Sequence, residues 1–150
     1  MAYSNELYQQ VILEHNRKPR NFHTMENSTH SCHGYNPLCG DDYEIYLNVD
    51  DQNTIQEVSF TGTGCAISKA STSLMTAFLK GKTADEAKMV FEEFHKMVLG
   101  KFDPEKEKNH LGKLKLFKGV REFPSRIKCA SLSWHTMVGA LGKNSVVSTE

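Results

Sequence analysis

The sequence predicts a single α+β domain. Its 150 residues are enough for one hydrophobic core and leave little room for a second. Two short segments with alternating apolar residues occur early, whereas segments with helical apolar spacing dominate the second half. Strands followed by helices, rather than a strict alternation of the two, are the usual pattern of α+β proteins.

The first predicted element is an amphipathic helix over residues 4–16. Its apolar residues have helical spacing: Leu7, Tyr8, Val11 and Ile12. Pro19 ends this helix, and the polar stretch that continues to about residue 37 is predicted to be irregular. Such a segment is long for a compact domain, which favours a functional or mobile loop.

An antiparallel hairpin is predicted next, with strands over residues 43–49 and 55–61. In the first strand, Tyr43 and Ile45 begin an alternation of apolar and polar side chains. The residues between the strands, 50–53, are Asp-Asp-Gln-Asn, a composition typical of turns.

Two helices are predicted to follow the hairpin. The first covers residues 66–79 and ends before Gly81. The second covers residues 84–98, where apolar residues share one face. Thr83 and Glu86 have the pattern of a capping box, in which each side chain accepts a hydrogen bond from the other residue's amide.

The C-terminal part is predicted to contain a long connection and one more helix. Residues 99–120 are rich in Lys and Gly and are typical of a connection. The last helix begins at Pro124, since proline suits the first helical turn, and ends at Leu141. The tail over residues 143–150 is predicted to fray, which gives one domain with an ordered core over about residues 4–142.

Charge and the N-terminal sequence restrict the class of protein. Lys plus Arg and Asp plus Glu both number 18, so the basic excess typical of nucleic-acid-binding domains is missing. No apolar run is long enough to cross a bilayer, and the N-terminal residues lack the pattern of a secretory signal. We therefore expect a cytoplasmic protein without nucleic-acid or membrane partners, whose cysteines are thiols or metal ligands.

None of the four cysteines forms a Cys-x-x-Cys pair, so the usual zinc-finger and thioredoxin motifs are missing. Buried cysteines that pack as small apolar residues are the simplest alternative. Cys39, however, lies in a Pro-Leu-Cys-Gly turn with Asp41 two residues later. Cys65 follows Gly62–Gly64, where the backbone can closely approach another group, and begins a helix, whose free amides favour a thiolate.

The remaining candidate, Cys129, lies on the second turn of the last helix beside Arg126 and Lys128. Arg126 is three residues before it and on nearly the same helix face, with a solvated charge as the alternative. Thiols and a carboxylate suit Zn²⁺, which takes four tetrahedral ligands from Cys, His or Asp. Because such a ligand set has excess negative charge, Lys69, Arg126 and Lys128 are candidate counter-charges around it.

Three ordered segments contain these cysteines. They are Asn36–Asp41 (NPLCGD), Gly62–Ser71 (GTGCAISKAS) and Arg126–Trp134 (RIKCASLSW). With them the chain resembles the SufU branch of the iron–sulfur scaffold family that also contains IscU and the N-terminal domain of NifU. The resemblance covers about Leu7 to Leu141. It implies an α+β fold with a small antiparallel sheet, helices packed on one face, and the three cysteines at one exposed end.

The resemblance also implies a set of metal ligands: Cys39, Asp41, Cys65 and Cys129. Two departures from the IscU pattern favour the SufU branch. IscU-type scaffolds have a His immediately before the third cysteine, where this chain has Lys128, and a protonated lysine has no lone pair to replace it. The chain also has extra residues within about 96–120.

Membership of the SufU branch implies a zinc-dependent sulfurtransferase. Cys39 would accept persulfide sulfur from a SufS-type cysteine desulfurase, with downstream iron–sulfur assembly proteins as later partners. The alternative is a scaffold on which iron or a [2Fe–2S] cluster is held by the same thiols and Asp41. A colourless, zinc-loaded protein would support the carrier, and a brown protein would support the scaffold.

A second metal site near the first motif is not expected. His30, Cys32 and His33 lie close together, but Cys32 matches no family ligand and its segment is predicted to be a mobile loop. The other five histidines are expected to be ordinary surface or core residues: His15, His23, His95, His110 and His135.

Overall fold

The computed structural model describes residues 5–148 and has an α+β fold, as predicted. Four α-helices are present in this part of the chain: α1 (Asn5–Arg17), α2 (Ala66–Leu79), α3 (Ala84–Val98) and α4 (Pro124–Leu141). Four strands form one sheet: β1 (His30–Asn36), β2 (Asp41–Val49), β3 (Ile55–Thr63) and β4 (Val146–Ser148). A 3₁₀ helix covers Gly112–Glu122.

The strand order of the sheet is β3-β2-β1-β4. Strand β2 pairs antiparallel with both β1 and β3, which confirms the predicted hairpin. Strand β4 adds a short parallel edge, with Gly34 opposite Val147. The sheet therefore has two strands more than the predicted hairpin: β1, from the segment predicted to be irregular, and β4, from the tail predicted to fray.

Helices α2 and α4 pack on one face of the sheet. Tyr43, Ile45 and Leu47 alternate along β2 and are fully buried beneath them. Between the two helices, the indole Nε1 of Trp134 donates a hydrogen bond to Ser71 Oγ at 3.1 Å. Helix α1 covers α2, and α3 and the 3₁₀ helix cover α4, so the sheet and helices enclose one core.

The predicted limits of α2, α3 and α4 are confirmed. Helices α2 and α3 begin at side-chain caps, Cys65 and Thr83, and α4 begins at a proline. The amide of Glu86 donates to Thr83 Oγ1 at 3.1 Å, and the amide of Thr83 donates to Glu86 Oε1 at 2.9 Å. This reciprocal capping box is the one that the sequence predicts. Pro124 occupies the first turn of α4, where its missing amide proton is not needed.

The prediction of an irregular segment up to residue 37 was wrong, because this segment contains β1. Its inward-facing residues are Cys32, Gly34 and Asn36, which do not give an apolar alternation. Small residues are required there, since a Cβ on Gly34 would collide with the side chain of Thr136 in α4. The strand is thus specified by its packing partner rather than by its own hydrophobicity.

The connection over residues 99–120 is also more ordered than predicted. Leu114, Leu116 and Phe117 of the 3₁₀ helix are buried, and Phe117 contacts Phe94 edge to face at a centroid distance of 5.7 Å. Within residues 5–148, none of the helices combines the length and the apolar character that crossing a bilayer requires.

Candidate metal centre

Cys39 lies in the tight turn between β1 and β2. Gly40 has φ +76°, a left-handed conformation that favours glycine. The Gly40 amide donates to the Asn36 carbonyl at 2.9 Å, and the Leu38 amide donates to Asn36 Oδ1 at 3.0 Å. This turn exposes the side chain of Cys39, whereas Asp41, the first residue of β2, is only 1% exposed.

Cys129 approaches the same point from α4. Its side chain is buried, and its Sγ lies 3.6 Å from the Sγ of Cys39. The ligand atoms of Cys39, Asp41 and Cys129 all lie within 4.8 Å of one another. The structure therefore brings together three of the four predicted ligands, from a turn, a strand and a helix.

Cys65, the fourth predicted ligand, is the N-cap of α2. Its Sγ accepts a hydrogen bond from the Ser68 amide at 3.4 Å, and its own amide donates to Asp41 Oδ1 at 3.0 Å. The Cys65 thiol lies outside the group of ligand atoms that fit within 4.8 Å. It is nevertheless held against the same carboxylate by its backbone.

The thiols of Cys65 and Cys129 influence each other's ionisation. Interaction with the Cys129 thiol, together with the hydrogen bond from Ser68, lowers the pKa of Cys65 to about 5, although burial acts in the opposite direction. The same interaction and burial raise the pKa of Cys129. The pair thus loses the proton of Cys65 easily and retains the proton of Cys129. A metal cation bound between the thiols would displace this second proton.

A small hydrogen-bond network positions Asp41. The hydroxyl of Ser68 donates to Asp41 Oδ1 at 3.2 Å and lies 2.8 Å from the hydroxyl of Tyr43. Gly64 passes directly over this network, since a Cβ there would lie 2.5 Å from Ser68 Oγ. The sequence indicated a close approach at Gly62–Gly64, but Tyr43 and Ser68 are functional residues that it did not indicate.

The buried carboxylate of Asp41 provides the test of whether a metal ion fits. Oδ1 accepts hydrogen bonds from the Cys65 amide and the Ser68 hydroxyl, whereas Oδ2 is buried and has no hydrogen-bond partner among residues 5–148. Buried polar atoms normally have a partner. A carboxylate oxygen with free lone pairs beside two thiols is a donor set that suits a divalent ion such as zinc.

Of the three predicted counter-charges, the structure places Arg126 beside the thiols. Its pKa is raised by interaction with Cys129 first, and then by Cys65 and Cys39. Lys128 instead lines a separate cavity, because consecutive residues on a helix face different directions.

The third cation, Lys69, is directed elsewhere, with its Nζ 5.1 Å from the ring centroid of Phe22. Tyr8 of α1 also borders the centre and was not anticipated. Its pKa is raised, by burial first and then by the charge of Cys65, while Arg126 acts in the opposite direction.

The interpretation of Cys32 as part of a mobile loop was wrong. Cys32 is fully buried in β1, and burial raises the pKa of its thiol to about 11. The side chain of His33 contacts Asp42, with 2.7 Å between His33 Nε2 and Asp42 Oδ1, and takes no part in a metal site. Across the described residues, the Cys39, Asp41 and Cys129 cluster is the one group of three or more such side chains with metal-binding geometry.

The fold and the site together define a small α+β protein with a thiol–carboxylate centre suited to a metal ion. Residues 7–130 match the family model described as the NifU-like N terminal domain. The chain therefore belongs to this family, whose members act in iron–sulfur cluster assembly.

Two relatives with different names illustrate the range of this family. The chain is 37% identical over 143 residues to the zinc-dependent sulfurtransferase SufU of Bacillus subtilis (strain 168). This alignment covers 95% of this chain and 94% of that protein. The chain is 34% identical over 140 residues to the iron–sulfur cluster assembly scaffold protein IscU of Streptococcus pyogenes serotype M1, covering 93% and 86% of the two chains.

A solved structure supports the same fold. The crystal structure of a protein from Fervidobacterium islandicum AW-1, described as an iron–sulfur cluster assembly scaffold protein for the SUF system, has a TM-score of 0.80 and 35% sequence identity. The match covers 93% of this chain and 96% of that one.

Proposed function

We propose that this protein is a zinc-dependent sulfur carrier that accepts persulfide sulfur from a SufS-type cysteine desulfurase on Cys39. The observation that supports this most is the pairing of an exposed Cys39 thiol with the buried Cys129 thiol, 3.6 Å away, beside the free Oδ2 of Asp41. The naming of the Bacillus subtilis relative as a zinc-dependent sulfurtransferase supports the same proposal.

The proposed metal ligands are the four residues around the centre: Cys39, Asp41, Cys65 and Cys129. Zinc held there would supply the positive charge that keeps the thiols deprotonated at neutral pH. The protein itself already favours this state at Cys65, where the Ser68 amide and the Cys129 thiol stabilise the thiolate. Arg126 adds a fixed positive charge on the solvent side of the thiols.

The transfer step requires an accessible nucleophile. The thiolate of Cys39 attacks the outer sulfur of the desulfurase persulfide, the S–S bond breaks, and the desulfurase cysteine leaves as a thiolate. A persulfide forms on Cys39, and no external oxidant or reductant is needed because the sulfane sulfur is simply moved. Cys39 suits this role because it is exposed and adjoins Gly40, whereas Cys129 is buried within a helix.

Metal analysis combined with a desulfurase assay tests the proposal. Protein purified without oxygen should contain one zinc per chain and should accelerate alanine release from cysteine by the desulfurase. Cys65→Ser and Cys129→Ser should lose both properties, because each removes a ligand. Iron and sulfide in place of zinc would contradict the proposal, as would unchanged zinc content in both variants.

The second candidate function is a scaffold for a [2Fe–2S] cluster. The relative from Streptococcus pyogenes, named as a scaffold, favours it, and the same three thiols and Asp41 are suitable ligands. The colour of the protein after assembly distinguishes the two functions. A scaffold assembled with iron, cysteine and desulfurase becomes brown and passes its cluster to downstream iron–sulfur assembly proteins, whereas a carrier remains colourless.

A further inference from the structure

A second polar site lies away from the thiols, in a cleft of about 330 Å³ between α1, α2 and the 3₁₀ helix. Its polar lining consists of His15, Arg20 and Lys113. The residues of α2 that form its floor begin at Leu74, about 14 Å along the helix from the N-cap Cys65. The cleft is therefore separate from the metal centre, and the inference below does not depend on the proposed function.

His15 is the buried polar side chain of this cleft. It is 8% exposed, and its Nδ1 lies 2.7 Å from Ser73 Oγ. Because Ser73 Oγ also accepts a hydrogen bond from the Arg20 amide at 2.8 Å, the arrangement that satisfies all three groups has Ser73 donating to Nδ1. The neutral imidazole then has its proton on Nε2, which makes no hydrogen bond with any residue in the described part of the chain.

The charges around His15 favour an anion in the cleft. Its pKa is lowered by burial first, and then by the positive charges of Arg20 and Lys113. Glu14, the acidic side chain that acts on His15, is already bound to Arg20 at 2.7 Å. Lys113 acts on Glu14 only through its charge and makes no salt bridge with the residues of the 5–148 segment, so its amino group can still contact a ligand.

The rest of the lining is apolar and consists of Leu74, Ala77, Phe78 and Leu114. Since a water molecule occupies about 30 Å³ in the liquid, the cleft has room for about ten non-hydrogen atoms. Clefts with an apolar wall and a few convergent polar groups are typical of small-molecule sites.

We propose that this cleft binds a small amphiphilic anion. Its carboxylate or phosphate head accepts a hydrogen bond from His15 Nε2 and lies near Arg20 and Lys113. Its short apolar chain lies on Leu74, Phe78 and their neighbours. The anion thus takes the place of solvent at His15 Nε2, the side of the imidazole that faces the cleft and has no partner among the described residues.

Titration of the full chain, in the metal state in which it is purified, with hexanoate, followed by amide NMR, tests the proposal. Hexanoate should shift the amide signals of Ala77 and Phe78, and 1-hexanol, which has the same chain without charge, should bind at least about tenfold more weakly. Acetate, which lacks the chain, should also bind more weakly. Hexyl phosphate then distinguishes a phosphate from a carboxylate head.

Three variants locate the interaction. His15→Asn keeps an acceptor for Ser73 but removes the Nε2 proton, and should weaken hexanoate binding about tenfold. Lys113→Gln should weaken it about threefold, since its charge is exposed. Lys88→Gln removes an exposed lysine of α3, outside the cleft, and should have no effect.

Three results would overturn the proposal. Equal binding of hexanol and hexanoate would exclude recognition of the anion. Shifts confined to the surroundings of Cys39 and Cys65 would place the carboxylate at the metal centre instead. Equal losses in Lys113→Gln and Lys88→Gln would show only a general charge effect, and this comparison remains decisive if His15→Asn does not fold.

Discussion

The carboxylate of Asp41 is hydrogen-bonded to the backbone of the metal centre and lies beside the thiols of Cys39 and Cys129. One of its oxygens is held by the Cys65 amide and the Ser68 hydroxyl, and the other is left without a partner. A carboxylate positioned in this way loses little conformational freedom on binding an ion. Its geometry depends on Gly64, because any larger residue there would occupy the space of the network.

Gly64→Ala should therefore damage the centre without removing a ligand. The added Cβ would lie 2.5 Å from the Tyr43 hydroxyl and 2.6 Å from Asp41 Oδ1, so the hydrogen bonds to Asp41 must break or shift. We expect zinc affinity to fall about tenfold or more, measured by competition with a chromophoric chelator. In the matched control Gly119→Ala, the new Cβ meets nothing within 4 Å. Equal affinity in the two variants would contradict this account of Asp41.

The residues of the site differ in how well the sequence predicts them. Cys39, Asp41 and Cys129 are recognisable because thiols and a carboxylate occur in three ordered motifs, and the structure brings them together. Tyr43 and Ser68 cannot be recognised in this way, since a tyrosine in a strand and a serine in a helix are common. Their part in positioning Asp41 depends on the contact between their hydroxyl groups, which only the fold creates.

At the scale of elements, local signals explain which predictions succeed. The capping box at Thr83 and the proline at residue 124 are short-range features, and the helices that they begin have the predicted limits. Strand β1 and strand β4 lack such signals. Strand β1 pairs with its neighbour β2, but its small inward-facing residues are fitted to Thr136 of α4, which is far away in the chain. Strand β4 pairs with β1 across more than 100 residues of sequence, which no local pattern reveals.

The packing of β1 against α4 gives a prediction for Cys32. Its Sγ lies 3.3 Å from the position of a Cβ at Gly139, so the strand and helix are in close contact there. Cys32→Ser places a hydroxyl in this apolar contact and should reduce the free energy of unfolding by about 1–3 kcal/mol, measured by urea denaturation.

Zinc content and desulfurase stimulation should remain near normal in Cys32→Ser, because Cys32 does not belong to the metal cluster. Ser31→Ala changes the exposed neighbour in the same strand and should leave both stability and zinc unchanged. A large loss of zinc in Cys32→Ser under conditions where the protein is folded would show that the ligand set is wrong.

At the scale of the whole molecule, the fold assembles the centre at one end. Helices α2 and α4 run side by side, as the hydrogen bond from Ser71 Oγ to the Ala130 carbonyl at 2.7 Å shows. Cys65 is at the N-terminus of α2, and Cys129 is near that of α4. The positive end of the α2 dipole therefore lies at the Cys65 thiol and favours its thiolate, whereas Cys129, on the second turn of α4, is too far along its helix for the dipole to do much.

Three histidines that folding partly removes from water predict that acid destabilises the metal-free protein. Burial lowers the pKa of His15, His95 and His135 in the folded state, so the unfolded chain takes up protons more readily. Stability that these groups contribute is present above their unfolded pKa of about 6.5 and is lost as pH falls through the lower folded values. The lowered pKa of Cys65 acts in the same direction.

Urea denaturation at about pH 7.5 and about pH 5.5 measures this effect, with a lower midpoint expected at the acidic pH. His135→Asn should reduce the difference between the two midpoints, because it removes one of the imidazoles whose pKa is lowered by folding. His23→Gln, which changes an exposed residue, should leave the difference intact. Identical midpoints at the two pH values in the parent protein would contradict the prediction.

The location of the transferred sulfur tests the central claim most directly. After turnover with desulfurase and cysteine, the protein is alkylated and its peptides are analysed by mass spectrometry. We predict a persulfide on Cys39, the exposed thiol of the centre, and loss of sulfur acceptance in Cys39→Ala even though this variant keeps some zinc through its other ligands. Extra sulfur mainly on Cys65 or Cys129, or normal sulfur acceptance by Cys39→Ala, would contradict the carrier mechanism.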